Sequence, residues 1–157
     1  HFWLDPQMML AQARAIAQVL PTTIGMDERD VSANLARLNQ RLQKLEDEIR
    51  ARLAQSGRGS FWTFHGSWGH FAEHFGLEQY AVEFEGKESG VRTMIAIVSE
   101  LEASGAEFII VEPGLDRDRL SVLQNEAGKE FVGLNPMRRD YDQNLLDVAY
   151  AIADPRR

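Results

Sequence analysis

The sequence predicts an α/β fold: a four-stranded, mostly parallel sheet flanked by helices, with a long amino-terminal helix ahead of it. Three observations carry this reading. Val31, Leu35, Leu38, Leu42, Leu45, Ile49 and Leu53 recur three and four apart, the repeat of one continuous helix face. After Gly57-Arg58-Gly59, short apolar runs appear at 61–64, 81–84, 108–111 and 131–134. Helical patterns separate these runs, and strands alternating with helices imply right-handed crossovers and a parallel sheet.

The elements follow in order. Asp5-Pro6 opens the first helix, Asp5 as cap and Pro6 at the first helical position. Met9, Ala13, Ile16 and Leu20 supply its apolar face, and Pro21-Thr22-Thr23 with Gly25 ends it. Asp27 and Asp30 suggest a second cap before the long stripe. That stripe suits a helix packed along one side of a domain; a dimeric coiled coil is the alternative, because the spacing is heptad-like. Helices are expected at 68–75, 91–101, 115–127 and 141–152. Gly105 and Gly128 mark helix-to-strand turns. The chain divides into a helical connector region, 1–56, and an α/β lobe, 57–157, which form one compact unit.

Composition narrows the function. The 157 residues make one domain. Lys plus Arg is 17 against 24 Asp plus Glu, a net charge of −7 with no basic stripe, which argues against nucleic acid as partner. No apolar run is long enough to span a membrane. With no Cys, the chain has no disulfide, thiolate nucleophile, iron–sulfur cluster or Cys-type zinc site. A soft-metal site must use His with carboxylate or carbonyl oxygens.

In a parallel sheet, ligands bind beyond the carboxyl ends of the strands. The residues there are His65-Gly66, Glu85-Gly86, Glu112-Pro113 and Asn135-Pro136, and His65, Glu112 and Asn135 converge on one rim if the strands align. Of the four histidines, His1, His65, His70 and His74, three lie within ten residues. Imidazole is a natural zinc ligand, and oxygen donors complete such shells. His65 is read either as a ligand or as a hydrogen-bonded histidine in a tight strand–helix turn. His70 and His74 share a helix face. They are read as solvent-facing or rim histidines, or as an auxiliary metal contact. The string His70-Phe71-Ala72-Glu73-His74 matches the inverted zinc-protease motif literally, but no distant acidic ligand segment accompanies it. Gly86-Lys87-Glu88-Ser89 lacks the upstream glycine of a phosphate loop, and no serine sits in a nucleophile elbow.

Several strings together resemble the cluster 9 solute-binding proteins, which deliver zinc or manganese to ABC importers and include adhesin-like lipoproteins. They are His1-Phe2-Trp3-Leu4-Asp5-Pro6, Phe64-His65-Gly66-Ser67-Trp68-Gly69-His70-Phe71-Ala72, Phe75-Gly76-Leu77, the apolar run ending in Glu112-Pro113, Leu134-Asn135-Pro136, and Tyr141 with Asn144-Leu145-Leu146. The match covers essentially the whole chain and roughly the carboxyl-terminal half of such a protein. The resemblance implies two α/β lobes joined by a long rigid helix, with metal between them. The helix starting near Pro6 is then the connector, and the amino-terminal lobe lies outside these residues. It also implies His1 and His65 as metal ligands, and a third position at Asn135 where many members carry a carboxylate. His70 stands where the family usually has Tyr, and the stretch from Glu85 to Gly90 is shortened.

The leading expectation is therefore capture of a divalent transition metal, Zn2+ with Mn2+ as alternative, for handover to an ABC-type permease in the periplasm or at the extracytoplasmic surface. The metal set is His1, His65, Asn135, His70 and Glu112, and these residues alone are expected to hold metal weakly or to stand empty. No bond is broken in such work, so no catalytic residue is expected. Two alternatives remain: a metal-dependent hydrolase built on His65, His70 and Glu112, and a metal-free structural or interaction domain.

Overall fold

A computed structural model describes residues 1–83, 91–114, 124–125 and 128–154. A short 3-10 turn, Phe2–Leu4, leads into helix α1, Pro6–Ile24. Asp5 caps α1 as expected: its Oδ1 accepts from the backbone N–H of Gln7 at 2.7 Å and of Met8 at 3.3 Å. Pro21 does not end the helix. It removes one donor in the last turn, and α1 closes at Gly25, whose φ of 70° places it in the left-handed cap conformation.

Helix α2, Glu28–Ser56, is the 29-residue element that the apolar stripe predicts. Asp27 caps it, accepting from Arg29 N–H at 2.7 Å. The stripe is consumed within the chain. Val31 is buried beside α1, while Leu42, Leu45, Ile49 and Leu53 enter the main core. There they meet Leu145, Val148, Ala149 and Ile152 of the last helix, α5, Tyr141–Ala153.

The sheet contains β1, Ser60–His65; β2, Glu78–Glu83; β3, Phe108–Val111; and β4, Glu130–Gly133. Its order is β2-β1-β3-β4, and every pairing is parallel. Helix α3, Gly69–Phe75, connects β1 to β2, and α4, Val91–Ala103, lies between β2 and β3. Alternation along the strands separates two apolar layers. Phe61, Phe108 and Ile110 face α2, α3 and α5. Trp62, Phe64, Ile109 and Val111 face the other way, with Val82 and Leu101. Helices therefore cover both faces, as parallel sheets require.

The two central strands match their apolar runs to within a residue. The edge strands begin earlier than expected, β2 at Glu78 instead of residue 81 and β4 at Glu130 instead of 131. Glu78, Gln79 and Glu130 join their strands through backbone pairing, which an apolar run does not mark. Phe84, the rim pair Glu85-Gly86 and most of the helix expected at 115–127 lie outside the described residues.

Ile49 is fully buried at the junction of α2, α5 and the sheet. Ile49→Ala should cost about 2–5 kcal/mol of unfolding free energy, read from urea denaturation. A loss below about 1 kcal/mol would mean that α2 does not share the core of the sheet.

Candidate functional site

The site follows from the sheet order. From β1 the chain turns through α3 to β2 on one side, whereas β4, which follows β3 in sequence, lies on the other. The connections diverge between β1 and β3, so the crevice past their carboxyl ends is a topological switch point. His65 ends β1 and Glu112 directly follows β3. Thr63 is paired with Ile110, so continuing that register by two residues sets Glu112 level with His65.

The amino-terminal segment folds over this rim. The His1 and His65 rings lie 5.6 Å apart, centroid to centroid, at an interplanar angle of 72°. Trp3 packs 5.2 Å from the His1 ring and donates its Nε1–H to the Pro136 carbonyl at 3.0 Å, tying the segment to the turn after β4. Leu4 is completely buried.

Glu112 is half-buried, and its Oε1 is buried with no hydrogen-bond partner among the described residues. Such an oxygen is costly to leave unmatched, and a cation or a donor at the rim would relieve it. Asn135 is exposed on the same side of the sheet. Its Oδ1 accepts from Met137 N–H at 2.9 Å, and its backbone carbonyl accepts from Arg138 N–H at 3.0 Å. The Asn135 side chain thus shapes the turn at Pro136 and keeps a second lone pair on Oδ1. His70 is half-buried on α3.

Among the described residues, no three His, Cys, Asp or Glu side chains gather into a metal cage. What the chain assembles is a pair of imidazoles. Zinc takes four ligands in most sites, so a complete shell needs donors beyond this pair.

His74 was not legible as part of this arrangement. Its side chain is only 6% exposed, and it lies in a polar clamp beneath the amino-terminal segment. Nδ1 lies 3.2 Å from Asp5 Oδ1, and Nε2 lies 3.0 Å from Glu46 Oε1. Arg50 donates to Glu46 Oε1 at 2.8 Å and to the His74 carbonyl at 3.3 Å, with its guanidinium over the Phe75 ring. Burial pushes the Glu46 carboxyl up, but Arg50 and His74 outweigh it and hold the carboxyl below its ordinary range. Tyr141 packs against the same core cluster. Burial, then the charges of Asp5 and Asp142, holds its phenol well above the usual value.

The chain is thus an α/β fold that brings two imidazoles together at the switch point of a parallel sheet. The profile of one family, described as zinc-uptake complex component A, periplasmic (ZnuA), matches residues 1–154, and the chain belongs to that family. It is 27% identical over 164 residues to a high-affinity zinc uptake system protein ZnuA of Paracoccus denitrificans, covering 98% of this chain and 50% of that protein. A zinc-binding protein AdcA of Streptococcus pyogenes is 23% identical over 139 residues, covering 87% of this chain and 27% of that protein. A crystal structure of ZnuA superimposes with a TM-score of 0.91 at 27% identity, covering 98% of this chain and 60% of that one. The chain thus spans about half the length of the first of these curated relatives.

The clamp has a pH signature. Because the Glu46 carboxyl is lowered in the folded state, the unfolded chain binds more protons as acid is added. Its contribution is present above its ordinary value of 4.5 and is lost as pH falls through the lower folded value. Glu46→Gln should therefore destabilise the protein at neutral pH, with the gap to wild type closing below pH 4.5 in denaturation measured across pH. A gap that stays constant through that range would contradict the clamp.

Proposed function

We propose that this chain is the carboxyl-terminal lobe, with its connector helices, of a receptor that captures a divalent transition metal outside the cytoplasm. The receptor hands the metal to an ABC-type permease at the membrane surface. The observation that carries this reading is the convergence of His1 and His65 at the sheet's switch point. Two imidazoles favour zinc over manganese, which prefers oxygen donors. The relatives, a high-affinity zinc uptake system protein and a zinc-binding protein, agree.

In this reading residues 1–56 form the connector region and 57–157 the lobe, and the remaining ligands come from a second lobe. His1 and His65 bind the ion directly. Asn135 offers its second Oδ1 lone pair, Glu112 supplies its buried Oε1 at the rim, and His70 flanks it from α3. No bond is made or broken in the cargo, so affinity and release are the whole of the chemistry.

The test is zinc titration. The 157-residue chain alone should bind zinc weakly, and His65→Ala should barely change that. The two-lobe protein should bind tightly, and there His65→Ala should abolish tight binding. Tight binding by the chain alone would show a complete site within these residues and overturn the two-lobe assignment.

Asn135→Asp keeps an oxygen that can accept from Met137 N–H and adds a charge at the rim. In the two-lobe protein it should tighten zinc binding at neutral pH, with the gain fading below about pH 4 as the new carboxyl protonates. Equal affinities in competitive titration would remove Asn135 from the ligand set.

The apolar core forms without the histidines, so chelation should leave the far-ultraviolet circular dichroism of the chain unchanged. Collapse of the spectrum would indicate a structural ion, as in zinc fingers, where folding needs the metal.

A further inference from the structure

We propose that His74 is a positioning residue for metal capture: acting through Asp5, it holds the His1 imidazole against His65. The inference rests on the reading that this rim binds metal, but the geometry behind it is independent of any ion.

His1 and His65 come from separate parts of the chain, and a closed circuit of contacts connects them. From His65 the chain turns at once, with Ser67 N–H donating to the His65 carbonyl at 2.8 Å, and enters α3. At the far end of α3, His74 Nδ1 meets Asp5 Oδ1 at 3.2 Å. From Asp5 the chain runs back through a tight turn, where Leu4 N–H donates to the His1 carbonyl at 3.1 Å and Asp5 N–H to the Phe2 carbonyl at 3.2 Å. The circuit closes where the His1 and His65 rings meet. Every segment of it is a short helix or a hydrogen-bonded turn except the His74–Asp5 contact, which is one side-chain pair.

The clamp is built to keep that contact. An ionised carboxylate only accepts, so the hydrogen facing Asp5 must sit on His74 Nδ1. Arg50 Nη2 lies 3.3 Å from Nε2 and can donate to its lone pair, while Glu46 Oε1 stands 3.0 Å away to accept if Nε2 is protonated. With Arg50 and Glu46 both against Nε2, the ring keeps its Nδ1 edge turned toward Asp5. Asp5 also caps α1, so its carboxylate cannot turn away without releasing Gln7 and Met8 N–H. Supporting groups of this kind set the orientation of ligating side chains.

The test uses three substitutions and two readouts. His74→Ala removes the donor. His74→Asn places an amide N–H near the Nδ1 position and restores the donor to Asp5. His74→Gln places it near Nε2, facing Glu46, and does not. Thermal melting confirms that each variant folds. Nuclear magnetic resonance of the 157-residue chain reads the His1–His65 ring contact, and titration with Zn2+ reads affinity in the two-lobe protein.

We expect His74→Ala and His74→Gln to lose the ring contact and to weaken zinc binding about 10-fold or more, with His74→Asn recovering both. A purely structural role would instead make affinity follow melting temperature, with Asn and Gln alike. The proposal is overturned if His74→Ala keeps the contact and wild-type affinity, or if the Asn and Gln variants cannot be told apart. Should the wild-type two-lobe protein bind no zinc, the functional reading falls, and the ring contact alone then decides the positioning claim.

Discussion

The carboxylate of Asp5 sits where α1, α3 and the amino-terminal segment meet, and only 7% of the residue is exposed. A buried charge must be matched by donors, and Asp5 Oδ1 has two backbone N–H groups at the positive end of α1 and the imidazole of His74. Satisfying that one oxygen fixes the start of α1, the path of residues 1–4 above the rim and the far end of α3. Because α3 begins just after His65, the same oxygen also sets the rim histidine relative to His1. The site geometry thus depends on burying and pairing this side chain, alongside the Trp3 bond to the Pro136 carbonyl and the buried Leu4.

The sheet supplies the rest by topology. The connections leave parallel strands β1 and β3 in opposite directions at their carboxyl ends, so a crevice there exists before any ligand is considered. Residues 61, 63 and 65 point to one face by simple alternation, which directs His65 toward the side where the amino-terminal segment lies. Glu112 adds a buried oxygen without a donor at the same level. The chain therefore brings two ring nitrogen donors and one buried oxygen to the same rim, in a fold that belongs to the ZnuA family.

Much of this architecture was legible in the sequence because it rests on local rules. A stripe of apolar residues predicts α2, and Asp5-Pro6 and Asp27 mark helix starts through hydrogen bonds a few residues long. His65 was legible because a strand end is a place that periodicity locates. The edge strands were read short, since Glu78 and Gln79 pair through their backbones and carry no apolar signal. The clamp was not legible. Asp5, Glu46, Arg50 and His74 come from three helices or their caps, and no local pattern announces that they meet. The spacing of His70 and His74 suggests a shared role at the rim, but the tertiary fold draws His74 into the clamp instead. Asn135 shows the same limit: its position after β4 was readable, whereas its hydrogen bond to Met137 depends on the turn that follows.

The central claim is that His1 and His65 form the portion of a zinc shell contributed by this chain, and that the ion itself completes the arrangement. A crystal structure of the two-lobe protein grown with zinc, with the metal located by anomalous scattering, tests this most directly. The account predicts a single strong peak bonded to ring nitrogens of both His1 and His65, with at least one further protein ligand from outside these 157 residues. A zinc peak elsewhere, or one bonded to neither His1 nor His65, would contradict it.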